Sequence, residues 1–471
     1  MREGENSMAG KYERPRKKKR GRGLVLLAVL LILGVAAAFV LRTLGGEQES
    51  PENEQTQPPQ TVAVSTEAPA AETVTEPTEP EPVVKESTAT IGATGDILLH
   101  DLVIKSGYDK ETDSYNYDNI FTFFSEYVSQ VDYAAANLEV TLCGDDNGYA
   151  YSGYPCFNSP DEIVDAAKAA GFDLLLTANN HSYDTKFTGF TRTQQVIDAR
   201  GLDHIGTRLD AEEKNYIIRE INGINIAMTC YTYCSAYTSA GNFKLNGNAL
   251  SSEASKLVNA FHYKDLDTFY TKLAGEMEQM KADGAEAVVM FIHWGEEYKT
   301  SPNDAQKKLA QQLCNMGIDV IVGNHAHVIQ PVELLTSEND ADQKTLCLYS
   351  TGNAVSNIFK SNSFPVHTED GMLFTFTFAK YSDGTVLVES ADVLPTWVWR
   401  YDDENGVRKF RIMTMEEGVD WQAKMDLTEE LLTKCQESYD RTMELVGDGL
   451  ETANAWFAQQ QEETEAALGV R

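Results

Sequence analysis

Short apolar runs in this chain end on clusters of polar residues, and helix-like stretches separate them. "AVVMFI" gives way to "HWGEEY", "DVIVG" to "NHAH" and "DLLLTA" to "NNHSYD". Apolar runs of four to eight residues bounded by turn signals are buried strands. Between them, "SPDEIVDAAKAAGF" places Ile163, Ala166, Ala167 and Ala170 at helical spacing, behind a capping Ser/Pro/Asp and ahead of Gly171. "SPNDAQKKLAQQLCNMG" predicts another helix, and residues 251–283 are mostly helical. "NYIIREINGINIAMTCYTY" predicts a hairpin turning at Asn222-Gly223. After "DVIVGNHAH" strands predominate through residue 395. Alternating strands and helices define an α/β domain over residues 88–395.

In open α/β sheets the carboxyl ends of the strands line the ligand crevice. Those ends carry the polar groups here: Asp96 after "TIGATG", Asn137 and Glu139 in "AAANLEV", then Asn179, Asn180, His181 and Asp184. His293, Glu296 and Glu297 follow "AVVMFI", and His325 and His327 follow "DVIVGN". Taken singly, each has a structural alternative. A Gly-Asp pair is a turn, "NNHSYD" is an Asx-rich helix entry, and a histidine beside Trp294 is a satisfied core residue. Five strand ends with the same chemistry point instead to one cluster. Imidazole suits Zn, Fe, Mn and Ni, while carboxylate and amide oxygens suit Mn, Mg and Ca. A mixed N/O set fits two metals bridged by a carboxylate. On extended backbone His325 and His327 share a side, so each could serve one metal.

The ends of the chain differ from this core. Residues 1–22 hold nine Lys/Arg against three Glu, a net of +6, so the rest carries −39, the difference from the total of −33. A surface that acidic repels nucleic acid, which excludes it as a partner. Gly23 to Leu41 is an uncharged apolar run of 19 residues, close to the ~20 that span a bilayer. A cleaved signal peptide has an apolar region of only about 7–15 residues, and no small-x-small site follows this run. The expectation is a single-pass anchor at 23–41 in the cell membrane, with residues 1–22 cytoplasmic and the rest extracellular. Residues 42–87, rich in Pro, Glu and Thr, predict a disordered tether. Residues 396–471 are acidic and helix-favouring, a helical C-terminal appendage. Seven cysteines are too few for a disulfide scaffold. Cys143 and Cys156 flank a Gly/Tyr-rich insertion as either a loop-closing disulfide or two free thiols.

"ATGDILL", "AAANLEVTL", "TANNHSYD", "FIHWGEEY" and "GNHAHVIQPVE", in that order, resemble the CapA family, associated with poly-γ-glutamate capsule synthesis and similar to the calcineurin-like metallophosphatases. The likeness spans about residues 88–360, including "LYSTGNAVSN". It implies a metallophosphatase-like αββα sandwich and two divalent ions, Mn, Fe or Zn. The implied metal ligands are Asp96, Glu139 as the bridge, Asn180, His293, His325 and His327. His181 is the implied proton donor, oriented by Asp184. The first block departs from the family's Asp-x-His form: Asp96-Ile97-Leu98 has no histidine there, and His100 is displaced. The resemblance further implies a role in envelope polymer synthesis or processing. That role is either metal-dependent hydrolysis, phosphoesterase-like, or non-catalytic binding or export beside membrane synthase subunits. The partner is the polymer or its precursors.

Overall fold

The computed structural model describes residues 83–361 and 366–467. The chain first lays down β1 (Lys85–Ile97), α1 (Asp101–Gly107), β2 (Tyr133–Leu138), α2 (Glu162–Ala170), β3 (Leu174–Leu176), α3 (Lys186–Ala199) and β4 (Asp203–Ile205). It then crosses to a second sheet with β5 (Tyr216–Ile221), β6 (Ile224–Tyr233), β7 (Ala260–Phe261), α4 (Leu266–Ala282) and β8 (Ala287–His293). α5 (Asp304–Asn315), β9 (Val320–Asn324), β10 (Ile329–Thr336) and β11 (Lys344–Thr351) complete that sheet. It returns to the first through β12 (Asn353–Val355), β13 (Asp370–Tyr381), β14 (Val386–Asp402) and β15 (Arg408–Thr414), and ends in α6 (Glu429–Ala467). The first sheet runs β15-β14-β13-β1-β2-β3-β4, with β12 beside β1; the second runs β7-β6-β8-β9-β11-β10, with β5 beside β6.

β1 to β4 are mutually parallel, as are β7, β6, β8, β9 and β11. Both parallel sets are buried on both faces, as parallel strands require. Ala89, Ile91, Ala135, Leu174, Met228, Val289, Phe291, Val320 and Val322 fill the space between the sheets. The alternate residues pack outward: Ala134, Ala136 and Leu175 against α2 and α3, and Met290, Ile292 and Ile321 against α4 and α5. The result is helix, sheet, sheet, helix, as the family resemblance implies. Asn222 (φ 50°) and Gly223 (φ 81°) turn the predicted hairpin, whose closing pair is Ile221 and Ile224.

Two expectations need correction, and one open alternative is decided. The boundary drawn at 395/396 falls inside β14, and β15 follows as a further strand. Residues 396–414 alternate as "TWVWRYDD" and "VRKFRIMT"; they continue the sheet, and the helical region begins later. The carboxylate of Asp161, ahead of α2, does not cap the helix, because it forms a two-toothed ion pair with Arg192. Cys143 and Cys156 are free thiols; the Cys156 thiol lies 3.3 Å from the Asp184 carbonyl oxygen. No helix among the described residues is long and apolar enough to cross a membrane. The run Gly23–Leu41 and the segment 42–82 lie outside the described residues.

α6 is part of the domain. Val446, Leu450, Ala453 and Phe457 form one apolar stripe, spaced by three and four residues, that joins the inter-sheet core. The helix packs on β14 of one sheet and β10 of the other. A Cβ at Gly449 would lie 1.9 Å from the Val332 carbonyl oxygen, so only glycine permits this approach. Asn454 bonds both backbone groups of Ala391 at 2.9 and 2.8 Å. Arg441 and Ser438 hold the buried carboxylate of Asp370.

Candidate metal centre

The two-residue period of the strands places the site. Tyr133 and Ala135 face the inter-sheet core, so Asn137 and Glu139 continue on that face. Val289 and Phe291 do the same for His293. Beyond the apolar packing, the face turns polar at the carboxyl ends. β1 reaches it through a register shift at Thr94–Ile97, a bulge that re-aims Asp96.

His325 and His327 do not follow this period, and their backbone is not extended. Their φ angles are 94° and 55°, a left-handed conformation uncommon for residues other than glycine. This turn aims into the cluster two side chains that a straight strand would send outward. Gly323, just before them, is required by crowding: a Cβ there would lie 2.0 Å from the Tyr349 carbonyl oxygen.

The expected ligands come together. Glu139, His293 and His325 bring ligand atoms within 4.8 Å of one another, and Asp96, Glu139 and His327 form a second such group. Glu139 belongs to both. Three atoms converge on His293 Nε2: Asn180 Oδ1 at 2.7 Å, His325 Nδ1 at 3.0 Å and Glu139 Oε1 at 3.5 Å. His327 Nδ1 lies 3.0 Å from both Asp96 Oδ2 and Asn353 Oδ1. One N–H cannot serve both, and Asp96 Oδ2 is left without a hydrogen bond. None of these ligand residues, nor His181 or Asp184, is more than 4% exposed.

Both oxygens of Glu139 are buried with no hydrogen-bond donor. Burial first, and the charge of Asp96 second, push its carboxyl well above the usual range. Buried polar oxygens are almost always satisfied, so Glu139 is a candidate seat for a cation. The imidazoles fit too. Burial pushes His293 down to about 3, partly opposed by Asp96, and drives His325 well below its ordinary value, helped by His293. Both are therefore in the neutral, metal-ligating form. Burial also disfavours charge on His327, but Asp96 outweighs it and holds that imidazole above its usual value. Asp96 is held low in turn: burial pushes its carboxyl up, and His327 outweighs that. The residues present thus fit divalent metal.

His181 Nδ1 lies 2.7 Å from Asp184 Oδ2. That carboxylate oxygen also accepts the Phe157 N–H at 2.8 Å, and the Phe157 ring meets His181 edge-on at 4.7 Å. His100 lies in neither ligand group; its Nδ1 accepts the Asn357 N–H at 3.3 Å. Three further residues, Asn353, Tyr233 and Tyr298, were not picked out by sequence reasoning, whereas Asn137 stood among its strand-end polar groups. Asn137 donates to Asp96 Oδ1 at 2.7 Å. Asn353 pairs with His327 and is paired in register with Asp96. Tyr233 and Tyr298 set their rings 5.0 and 5.9 Å from His325 and His327. "AAANLEV" and "STGNAVSN" carried a signal for the asparagines; the tyrosines had none.

Two helix-flanked sheets whose strand ends share one carboxylate between two His-containing ligand groups define a metallophosphatase-like domain. Within that class, the chain belongs to the family described as bacterial capsule synthesis protein PGA_cap, whose pattern matches residues 90–358. It is similar to the capsule biosynthesis protein CapA of Bacillus anthracis, 27% identical over 267 residues, which are 55% of this chain and 58% of that protein. It is also similar to the PGA biosynthesis protein CapA of Bacillus subtilis (strain 168), 27% identical over 301 residues, 64% of this chain and 70% of that protein.

Proposed function

We propose that this chain is a membrane-anchored, extracytoplasmic capsule-synthesis protein. Its centre holds two divalent ions and hydrolyses a bond in an envelope polymer, poly-γ-glutamate foremost. The observation that carries this is Glu139, shared by two ligand groups and without a donor on either oxygen. Asn180, His293, His325 and Glu139 would hold one ion; Asp96, His327 and Glu139 the other. Mn, Fe and Zn suit that donor set. When bound, the ions supply Lewis acidity and an activated water.

The protein's own proton chemistry rests on His181. An ionised Asp184 only accepts, so the proton on this pair sits on His181 Nδ1. That fixes the tautomer and leaves Nε2 to exchange a proton with the leaving group. Asp184 is the positioning residue. The anchor is Gly23–Leu41, supported by the step from +6 to −39 across it. The names of the two relatives support involvement with a capsule polymer; membrane synthase subunits are the partners this reading adds.

The test is metal content of the purified full chain, followed by assays on poly-γ-glutamate and on a generic phosphodiester, with and without Mn²⁺. Metal-dependent cleavage is expected. Tight metal with no turnover on either substrate overturns hydrolysis and leaves a binding role within a synthesis complex.

A further inference from the structure

A chain this acidic repels a polyanion unless local cations offset the charge. The structure sets two cations beside the centre, Arg400 and Lys360, whose side chains contact Asn357 and His367 rather than a carboxylate. A cavity of ≈ 630 Å³ is lined by His100, Tyr154, Tyr298, Phe359, Lys360 and Arg400, among others. It borders the centre on two sides: the Tyr298 ring faces the ligand His327, and His100 packs on Phe157, which packs on the proton donor His181. Among the described residues most other arginines hold carboxylates, as Arg192, Arg200, Arg219, Arg408 and Arg441 do. Arg400 has no ion pair among the described residues. Its guanidinium lies 4.1 Å over the Phe359 ring and donates to Asn357 Oδ1 at 3.3 Å. Asn357 is in turn bound to His100 through its backbone N–H. The Lys360 ammonium meets His367 Nε2 at 2.8 Å, not a carboxylate.

The cavity does not stop there. Phe359 and Arg400 also line a second cavity of ≈ 300 Å³, which continues over Trp399 to Lys434 on α6. The same cavity wall thus serves two successive spaces, a layout for an extended ligand. Aromatic faces at Tyr154 (74% exposed), Phe359 and Trp399 suit methylene stretches. Glu297 lines the first cavity, and its charge is felt at His327. Glu369 also stands here: it accepts the Lys360 backbone N–H at 3.1 Å, meets His367 at 2.8 Å, and its charge is felt at Arg400. A ligand carboxylate settles on the Arg400 guanidinium and Lys360 ammonium, away from Glu297 and in competition with Glu369.

We propose that Arg400 and Lys360 form a carboxylate-binding subsite that seats a polyamide bearing one carboxylate per unit beside the metal centre. This deepens the polymer reading above and rests on it for the identity of the neighbouring centre. Arginine's fork matches carboxylate geometry, and the paired cavities give successive units of one chain a place each.

The experiment titrates the full chain, in detergent, with a γ-linked glutamate hexamer and with the neutral γ-linked glutamine hexamer. It is run with metal chelated and again with Mn²⁺ restored. We expect the glutamate hexamer to bind at least ~10-fold tighter, weakening with salt. The double variant Arg400→Gln, Lys360→Gln should lose that preference with its metal content unaltered. Arg400→Lys alone should keep part of it, which separates lost charge from lost fold. Equal affinity for the two hexamers, or a preference surviving in the double variant, overturns the subsite. Displacement of the hexamer by equimolar inorganic phosphate reassigns it to phosphate and overturns the carboxylate claim. Because the preference is also measured without metal, failure of the metal reading shows separately, in the metal content.

Discussion

The substitution Glu139→Gln should change stability in opposite directions with and without metal. The side chain is fully buried, and neither oxygen has a donor. Each unsatisfied buried acceptor costs about 1–3 kcal/mol, and the Asp96 charge adds repulsion. The glutamine would keep the volume, remove the charge and bring an amide N–H₂ that can donate to Asp96. The metal-free protein should gain about 1–3 kcal/mol, which for a domain of this size is a rise in Tm of ~1–4 °C. With metal the sign reverses. Losing the shared ligand should weaken each ion by ~100-fold or more, about 2.7 kcal/mol. At Mn²⁺ levels ~1,000 times the wild-type Kd, wild type gains about 4 kcal/mol per site from binding, and the variant well under half of that. Thermal melts of the full chain in EDTA and in Mn²⁺ should therefore cross. A variant that melts below wild type in EDTA, or gains as much from Mn²⁺, would show that Glu139 is an ordinary structural carboxylate and refute the reasoning.

Three other substitutions test separate parts of the structure. His181→Ala should lower kcat by ~10²–10⁴ while metal analysis shows the ions retained; unchanged turnover removes His181 from the chemistry. Asp319→Asn probes a pH effect away from the centre. Burial pushes the Asp319 carboxyl up to about 6, so the folded state binds the proton more tightly than the unfolded one. Its contribution is complete below pH ~4 and is lost as pH rises toward 6. Asn keeps an acceptor for the Val288 N–H, bonded at 2.8 Å. Since Asp319 keeps partial solvent contact, the variant should be only about 1–2 kcal/mol more stable at pH 7.5 and no more stable at pH 4; denaturant melts at the two pH values decide. Gly449→Ala drives a Cβ against the Val332 carbonyl and should cost about 1–3 kcal/mol in the same melts.

The strand-end pattern was legible because its physics is local. Apolar runs flanked by turn residues make buried strands, and a period of two carries the inter-sheet face from Phe291 to His293 and from Ala135 to Asn137 and Glu139. What the sequence could not show depends on where the chain bends. "NHAH" looks extended on paper, but positive φ at both histidines aims them inward, just after Gly323, where the close passage of Tyr349 leaves no room for a side chain. The C-terminal helix has a clear helical pattern, yet nothing local says that its stripe enters the core between two sheets. Likewise β14 and β15 alternate apolar and charged residues, and the charges obscured their place in the first sheet. Asn353 and Tyr298 reach the centre only through tertiary contact.

β1 has a mechanical consequence as well. Lys85 and Asp96 stand at opposite ends of one strand, roughly 35 Å apart. Whatever precedes residue 83 therefore pulls on the molecule at the end remote from the metal ligands. The pull runs along a strand flanked by β13 and β2, whose hydrogen bonds lie across the strand. Tension applied at Lys85 would thus be borne as shear by many bonds at once before it reached Asp96.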